Sequence, residues 1–144
     1  MIEKVAVGTD GSDTAAKAVE FALDLASRYE AKIVFLSAYR PVSEDRLKRE
    51  KRDAPEDVQW QINPSEDVDP TLREAEETAE ERGLKHASEA KEGDPSKVLV
   101  ELADKHGADL LVIGNKGMKR KVLGSVPNTV SHNAGCAVLI VKTT

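Results

Sequence analysis

The chain reads as an α/β domain, a parallel β-sheet with helices packed on both faces. Two patterns predict it. Short apolar, β-prone runs alternate along the chain with segments whose apolar residues recur at helical spacing. Loops bearing glycine follow the first and fourth of these runs: Gly8-Thr9-Asp10-Gly11-Ser12 and Gly114-Asn115-Lys116-Gly117. In a parallel sheet, ligands bind beyond the carboxyl ends of the strands, which is where these loops fall. At 144 residues the chain is expected to be one domain, 1–144, with room for a sizeable core.

The first strand is Val5-Ala6-Val7, ended by Gly8 to Ser12. Asp13 to Tyr29 follows as a helix, with Ala15, Ala18, Val19, Ala22, Leu25, Ala26 and Tyr29 on its apolar face. Ser12 suits its N-cap, and Asp13 places negative charge in its first turn. Lys32-Ile33-Val34-Phe35-Leu36 is the second strand. Pro41 to Asp69 breaks the pattern: it is dense in charge, holds Pro41, Pro55 and Pro64, and shows no period. Glu44 to Lys51 suits a short solvated helix there. A connection this long is usually functional or mobile. Trp60, with Val58 and Ile62, is expected to pin it to the body or to a partner.

Thr71 to Arg82 is the second main helix, with Leu72, Ala75 and Ala79 inward and Gly83 as its stop. Leu84 to Lys91 alternates weakly and is mostly polar, which suits an exposed edge strand. Asp94-Pro95 opens a helix as cap and first residue, buries Val98, Leu99, Leu102 and Ala103, and ends at Gly107. Asp109 to Ile113 is a fully buried strand. Val126 to Asn133 is the last helix and Cys136 to Val141 the last strand.

Composition excludes several classes. The net charge of −5 argues against generic nucleic-acid affinity, so the basic residues after Gly114 are a local feature. No apolar run approaches roughly 18 residues, so no membrane span is expected, and the N-terminus carries no signal-peptide core; the cytoplasm is the expected location. Cys136 is the single cysteine, and its apolar surroundings suggest a buried thiol that packs rather than reacts. His86, His106 and His132 lack an adjacent acid or thiol motif and are read as surface or structural residues. No spacing suited to a metal site is present.

The segment after Ile113 carries the strongest chemical signal. Gly114, Gly117, Gly124 and Ser125 lie between a strand and a helix, where backbone N–H groups and the helix dipole favour an anion. Lys116, Lys119, Arg120 and Lys121 add cations. Strand one lacks the G-x-G-x-x-G of a dinucleotide site, and no G-x-x-x-x-G-K-[ST] phosphate loop occurs. Ala90-Lys91-Glu92 supplies no aspartate for a phosphoacceptor receiver. There is no poised general base and no Ser-His-Asp arrangement, so efficient catalysis is not expected; at most, hydrolysis of a bound nucleotide would be slow.

Four segments resemble the universal stress protein family: Val5 to Ser12; Gly93-Asp94-Pro95; Ala108 to Gly117; and Leu123-Gly124-Ser125-Val126 running on to Val141. Together they span nearly the whole chain outside the variable stretch at about 41–69. The resemblance implies a Rossmann-like, flavodoxin-like three-layer sandwich, with a five-stranded parallel sheet of order 3-2-1-4-5. It implies ATP as ligand, possibly with Mg, with AMP or another anion as the variant. It also implies a homodimer, often built through the last strand, Cys136 to Val141, which as an apolar edge would otherwise be uncovered.

By the same resemblance, Thr9, Asp10 and Ala38 border adenine and ribose, and Ile113 forms an apolar wall. Gly114, Gly117, Gly124, Ser125, Val126 and Pro127 line the ribose and phosphates, with Lys116, Lys119 and Arg120 as phosphate contacts. Ser125 also suits a helix cap, and Asp10 a turn before the first helix. The family's spacer between the second glycine and Gly-Ser is longer; here it is only Met118 to Leu123. Two readings stand: an ATP-binding stress-response module, or a nucleotide-independent dimeric scaffold or chaperone-like binding protein whose shortened loop has lost ATP. A smaller anion or monophosphate nucleotide is a third.

Overall fold

A computed structural model describes residues 1–10, 13–39, 65–115 and 125–142. The elements are β1 (Lys4–Gly8), α1 (Asp13–Tyr29), β2 (Lys32–Tyr39), α2 (Ser65–Glu81), β3 (His86–Glu92), α3 (Pro95–Lys105), β4 (Leu110–Asn115), α4 (Ser125–Asn133) and β5 (Ala137–Lys142). The strands form one sheet of order β3-β2-β1-β4-β5 with every neighbouring pair parallel. The expected alternation, strand order and edge position of the third strand are all present.

Because side chains alternate across a sheet, each strand feeds two cores. Val5 and Val7 of β1, Ile33 and Phe35 of β2, and Val112 of β4 meet α1 and α2 through Ala18, Ala22, Leu23, Ala75 and Ala79. Ala6, Val34, Leu36, Leu111 and Ile113 meet α3 and α4 through Val98, Leu99, Leu102, Val126 and Val130 on the other face. β1, β2 and β4 are therefore apolar on both sides, as central parallel strands must be.

Gly8 is one place where a side chain would not fit without adjustment. A β-carbon there would lie 3.1 and 3.2 Å from the methyl groups of Leu99. Its absence lets α3 seat against β1.

Several boundaries differ from the sequence reading. α2 begins at Ser65, inside the stretch read as a loop, and contains Pro70. Pro70 is the sixth residue of this helix, so it forgoes a single bond, to the carbonyl four residues earlier, beside the first turn. β2 runs on to Tyr39, and β4 takes in Gly114 and Asn115 but not Asp109. β3 starts two residues later than expected, at His86. Tyr29, expected inside, is 50% exposed, because α1 ends there and Glu30 turns the chain at φ 53°; fully buried Leu23 faces the core instead. Cys136 precedes β5 and is only partly buried. Burial pushes its thiol pKa up, and nearby Asp104 adds to the shift, which agrees with a packing role. The Ser12 cap, the Glu44–Lys51 helix and the Trp60 cluster lie outside the described residues.

Candidate functional site

The strand order reverses between β1 and β4: the chain leaves β1 toward β2 and leaves β4 toward β5. The crossover helices then cover opposite faces, and a crevice opens between the two strand ends. Parallel register fixes the level of that crevice. Val7 pairs with Leu36's neighbour Phe35 on one side and with Val112 on the other. The N–H of Thr9 donates to the carbonyl of Leu36 at 2.9 Å, carrying β1 one residue past Gly8 before it turns.

Thr9, Asp10, Ala38, Ile113 and Gly114 thus come together at the carboxyl ends of three adjacent strands. Thr9 and Ala38 are buried, and Asp10 and Gly114 are half-buried. Ala38 and Ile113 share the apolar cluster that includes Val126 of α4. Ser125 is exposed at the first position of α4, while Val126 and Pro127 behind it are buried. Proline is well suited to a helix's first turn, where its missing N–H costs nothing. Gly117, Gly124, Lys116, Lys119, Arg120 and Lys121 lie outside the described residues.

The predicted group is divided by the sheet. Alternation sends Ala38 and Ile113 toward α3 and α4, but Thr9 toward α1 and α2. There Thr9 lines a cavity of about 270 Å³ with Val19, Glu20, Leu23, Thr71 and Glu74. An apolar surface thus lies on one face of the sheet at this pole and a hollow lined by Thr9, Thr71 and Thr78 on the other.

Two polar residues at this pole were missed from the sequence. Ser37 is 1% exposed and Asn115 fully buried. They occupy the last turns of β2 and β4, one strand to either side of Thr9. The available signal was a polar residue directly after an apolar run, as in Leu36-Ser37 and Ile113-Gly114-Asn115. Buried polar groups in such a layer orient neighbouring backbone rather than add apolar stability.

The turn that enters α3 lies at the same pole. The N–H of Gly93 donates to the carbonyl of Tyr39 at 3.0 Å. Gly93 has φ 146°, a backbone that glycine favours, and its β-carbon would meet Val98 at 3.0 Å. Asp94 then caps α3: its carboxylate accepts the N–H of Lys97 at 3.3 Å and the hydroxyl of Ser96 at 2.6 Å. The expected Asp-Pro start is as observed. No metal-binding group of His, Cys, Asp or Glu occurs among the described residues, and no described helix is long and apolar enough to cross a membrane.

The family model described as the universal stress protein family matches residues 1–142. Universal stress protein Rv1636 of Mycobacterium tuberculosis is 40% identical over 144 residues, covering 97% of this chain and 96% of that protein. Universal stress protein MJ0531 of Methanocaldococcus jannaschii is 31% identical, over 99% of this chain and 83% of its own. Among solved structures, a universal stress protein in complex with cAMP is 36% identical, with a TM-score of 0.75 and 99% of each chain covered. The crystal structure of Rv1636 superposes with a TM-score of 0.59, at 34% identity over 99% of this chain and 97% of that one.

Proposed function

Since this chain belongs to the universal stress protein family, we propose that it is a dimeric stress-response module, without efficient catalysis, that binds an adenine nucleotide between the ends of β1 and β4. The observation that carries this reading is the convergence of Thr9, Asp10, Ala38, Ile113 and Gly114 at the point where the strand order reverses. Adenine and ribose lie against the backbone of Thr9, Asp10 and Ala38, with the Ile113 side chain as apolar wall. The phosphate faces Gly114, Gly117, Gly124 and Ser125, with Val126 and Pro127 behind and Lys116, Lys119 and Arg120 as countercharge.

The number of phosphates follows from the loop. Only Met118 to Leu123 separate Gly117 from Gly124. A short spacer offers few N–H groups and little reach, which favours one phosphate over three. The relative solved in complex with cAMP supports a ligand of that size. ATP with Mg is accordingly the weaker ligand. The homodimer forms through β5, and the cytoplasm is the place of action.

Isothermal titration of the purified protein with cAMP, AMP and ATP-Mg tests the reading. Tighter binding of cAMP or AMP than of ATP is expected. Tightest binding of ATP would overturn the size argument while keeping the site. Absence of heat with all three would favour the nucleotide-independent scaffold.

A further inference from the structure

β3 is attached to the domain unlike the other strands. It is an edge strand with no buried residue. Its apolar contribution is Ala87 on one face and Ala90 on the other, both only partly buried. Backbone pairing with β2 runs from Ile33 opposite His86 to Tyr39 opposite Glu92.

Charged groups provide the rest of its attachment. On one face, Glu76 of α2 accepts the hydroxyl of Ser88 and lies 3.3 Å from Nδ1 of His86. Arg73, Glu77 and Glu80 of α2 line the same groove. On the other face, Glu89 of β3 accepts Nζ of Lys105 at 2.8 Å and lies 2.8 Å from Nε2 of His106, just past α3. Lys91 pairs with Glu101 of α3 beside it. Glu76 thus holds the Ser88 hydroxyl with the His86 ring beside it, and Glu89 is engaged by both Lys105 and His106, so each carboxylate fastens the strand to a different helix.

We propose that β3 is a releasable edge, clasped by Glu76 on one face and Glu89 on the other, that opens as a local unit when those clasps lose their charge.

The clasps are only partly shielded: the side chains of Glu76, His86, Glu89 and His106 are 34, 24, 27 and 22% exposed. Such pairs are individually weak and screened by salt. They matter here because β3 has little apolar burial to hold it if they go. Hydrogen bonds from Lys105 and His106 hold the Glu89 carboxyl below its ordinary value. Its contribution is therefore present above the ordinary carboxylate range and is lost as pH falls through the lowered value. Opening would uncover the outer edge of β2 and break the bond from Gly93 to Tyr39, at the pole where the crevice lies. The inference stands on the ligand-free protein and does not depend on the nucleotide reading.

Hydrogen exchange followed by mass spectrometry at neutral pH tests it, using the full chain with Glu76→Gln, Glu89→Gln and both together. Glutamine mimics the uncharged carboxyl. Amides of residues 86–92 should exchange about tenfold faster in each single variant and faster still in the double, with β1 and β4 unchanged. Molar salt should accelerate the same peptide in the unsubstituted protein. Unchanged exchange in residues 86–92, or equal acceleration in β1 and β4, would overturn the proposal. So would an equal effect from Glu77→Gln, a neighbouring glutamate outside the clasp.

Discussion

The carboxylate of Asp109 accepts the backbone N–H of Glu3 at 2.9 Å, and the same oxygen lies 3.1 Å from the N–H of Lys4. One side chain at the start of β4 thereby satisfies two donors at the start of β1. The carbonyl of Lys4 returns the contact by accepting the N–H of Asp109 at 2.9 Å. The two strands that border the crevice are joined at the end of the sheet away from it.

This joint predicts a pH signature. The two N–H donors hold the Asp109 carboxyl below its ordinary value of 3.8. A lowered folded value gives stability that is present above pH 3.8 and lost as pH falls through the lowered one. Asp109→Ala should lower the melting temperature at pH 7, and the gap from the unsubstituted protein should shrink on acidification below pH 4. A gap constant from pH 7 to pH 3 would count against the charged joint.

Gly8 and Leu99 should be energetically coupled. Leu99→Ala empties a fully buried position and should cost about 2–5 kcal/mol. Gly8→Ala places a β-carbon against a movable side chain and should cost about 1 kcal/mol. The two contacts are one, so the double variant should lose less than the sum of the singles in denaturant melts. Strict additivity would show that the close approach carries no strain.

The phosphate assignment predicts a separation of binding from stability. Gly117→Val should weaken cAMP and AMP binding by at least about tenfold, because a branched side chain takes up space assigned to the phosphate. Its melting temperature should remain within a few degrees of the unsubstituted protein. Equal affinity by titration would move the phosphate elsewhere.

Dimerisation should be sensitive to β5. Val138, Leu139 and Ile140 are only partly buried, and β5 is an edge strand of the sheet among the described residues. Light scattering at micromolar concentration should give twice the chain mass. Ile140→Lys should shift it to the monomer, since a lysine on an edge strand opposes further pairing. A dimer unaffected by this change would place the interface away from β5.

Much of the architecture was legible in the sequence. Short apolar runs bounded by turn residues, such as Val5-Ala6-Val7 and Leu110 to Ile113, read as strands covered on both sides, and they are. The polar run ending in Ala90-Lys91 could only be an edge. Asp94-Pro95 marked the start of α3 through capping chemistry alone. Where local signals failed, two competed. The charge-dense stretch up to Asp69 shows no period and reads as loop although the helix already begins at Ser65, and Tyr29 follows the helical period at a point where the helix is ending.

Of the site, Thr9, Asp10, Ala38, Ile113 and Gly114 were read from loops and residue types and are found at the strand ends, whereas Gly117, Gly124 and the cations lie outside the described residues. The sequence alone therefore determined the class of fold, the edge strand and which loops meet at the ends of β1 and β4. Tertiary structure decided which face each residue serves: Thr9 on the α1–α2 side, Ala38 and Ile113 on the other. It also joined Glu76 to His86 and Glu89 to His106, pairs that are 10 and 17 residues apart along the chain. The reason is physical. Local propensity and periodicity act over a few residues, whereas strand register and helix docking select which distant charges come within a few ångströms, and only the folded core sets that register.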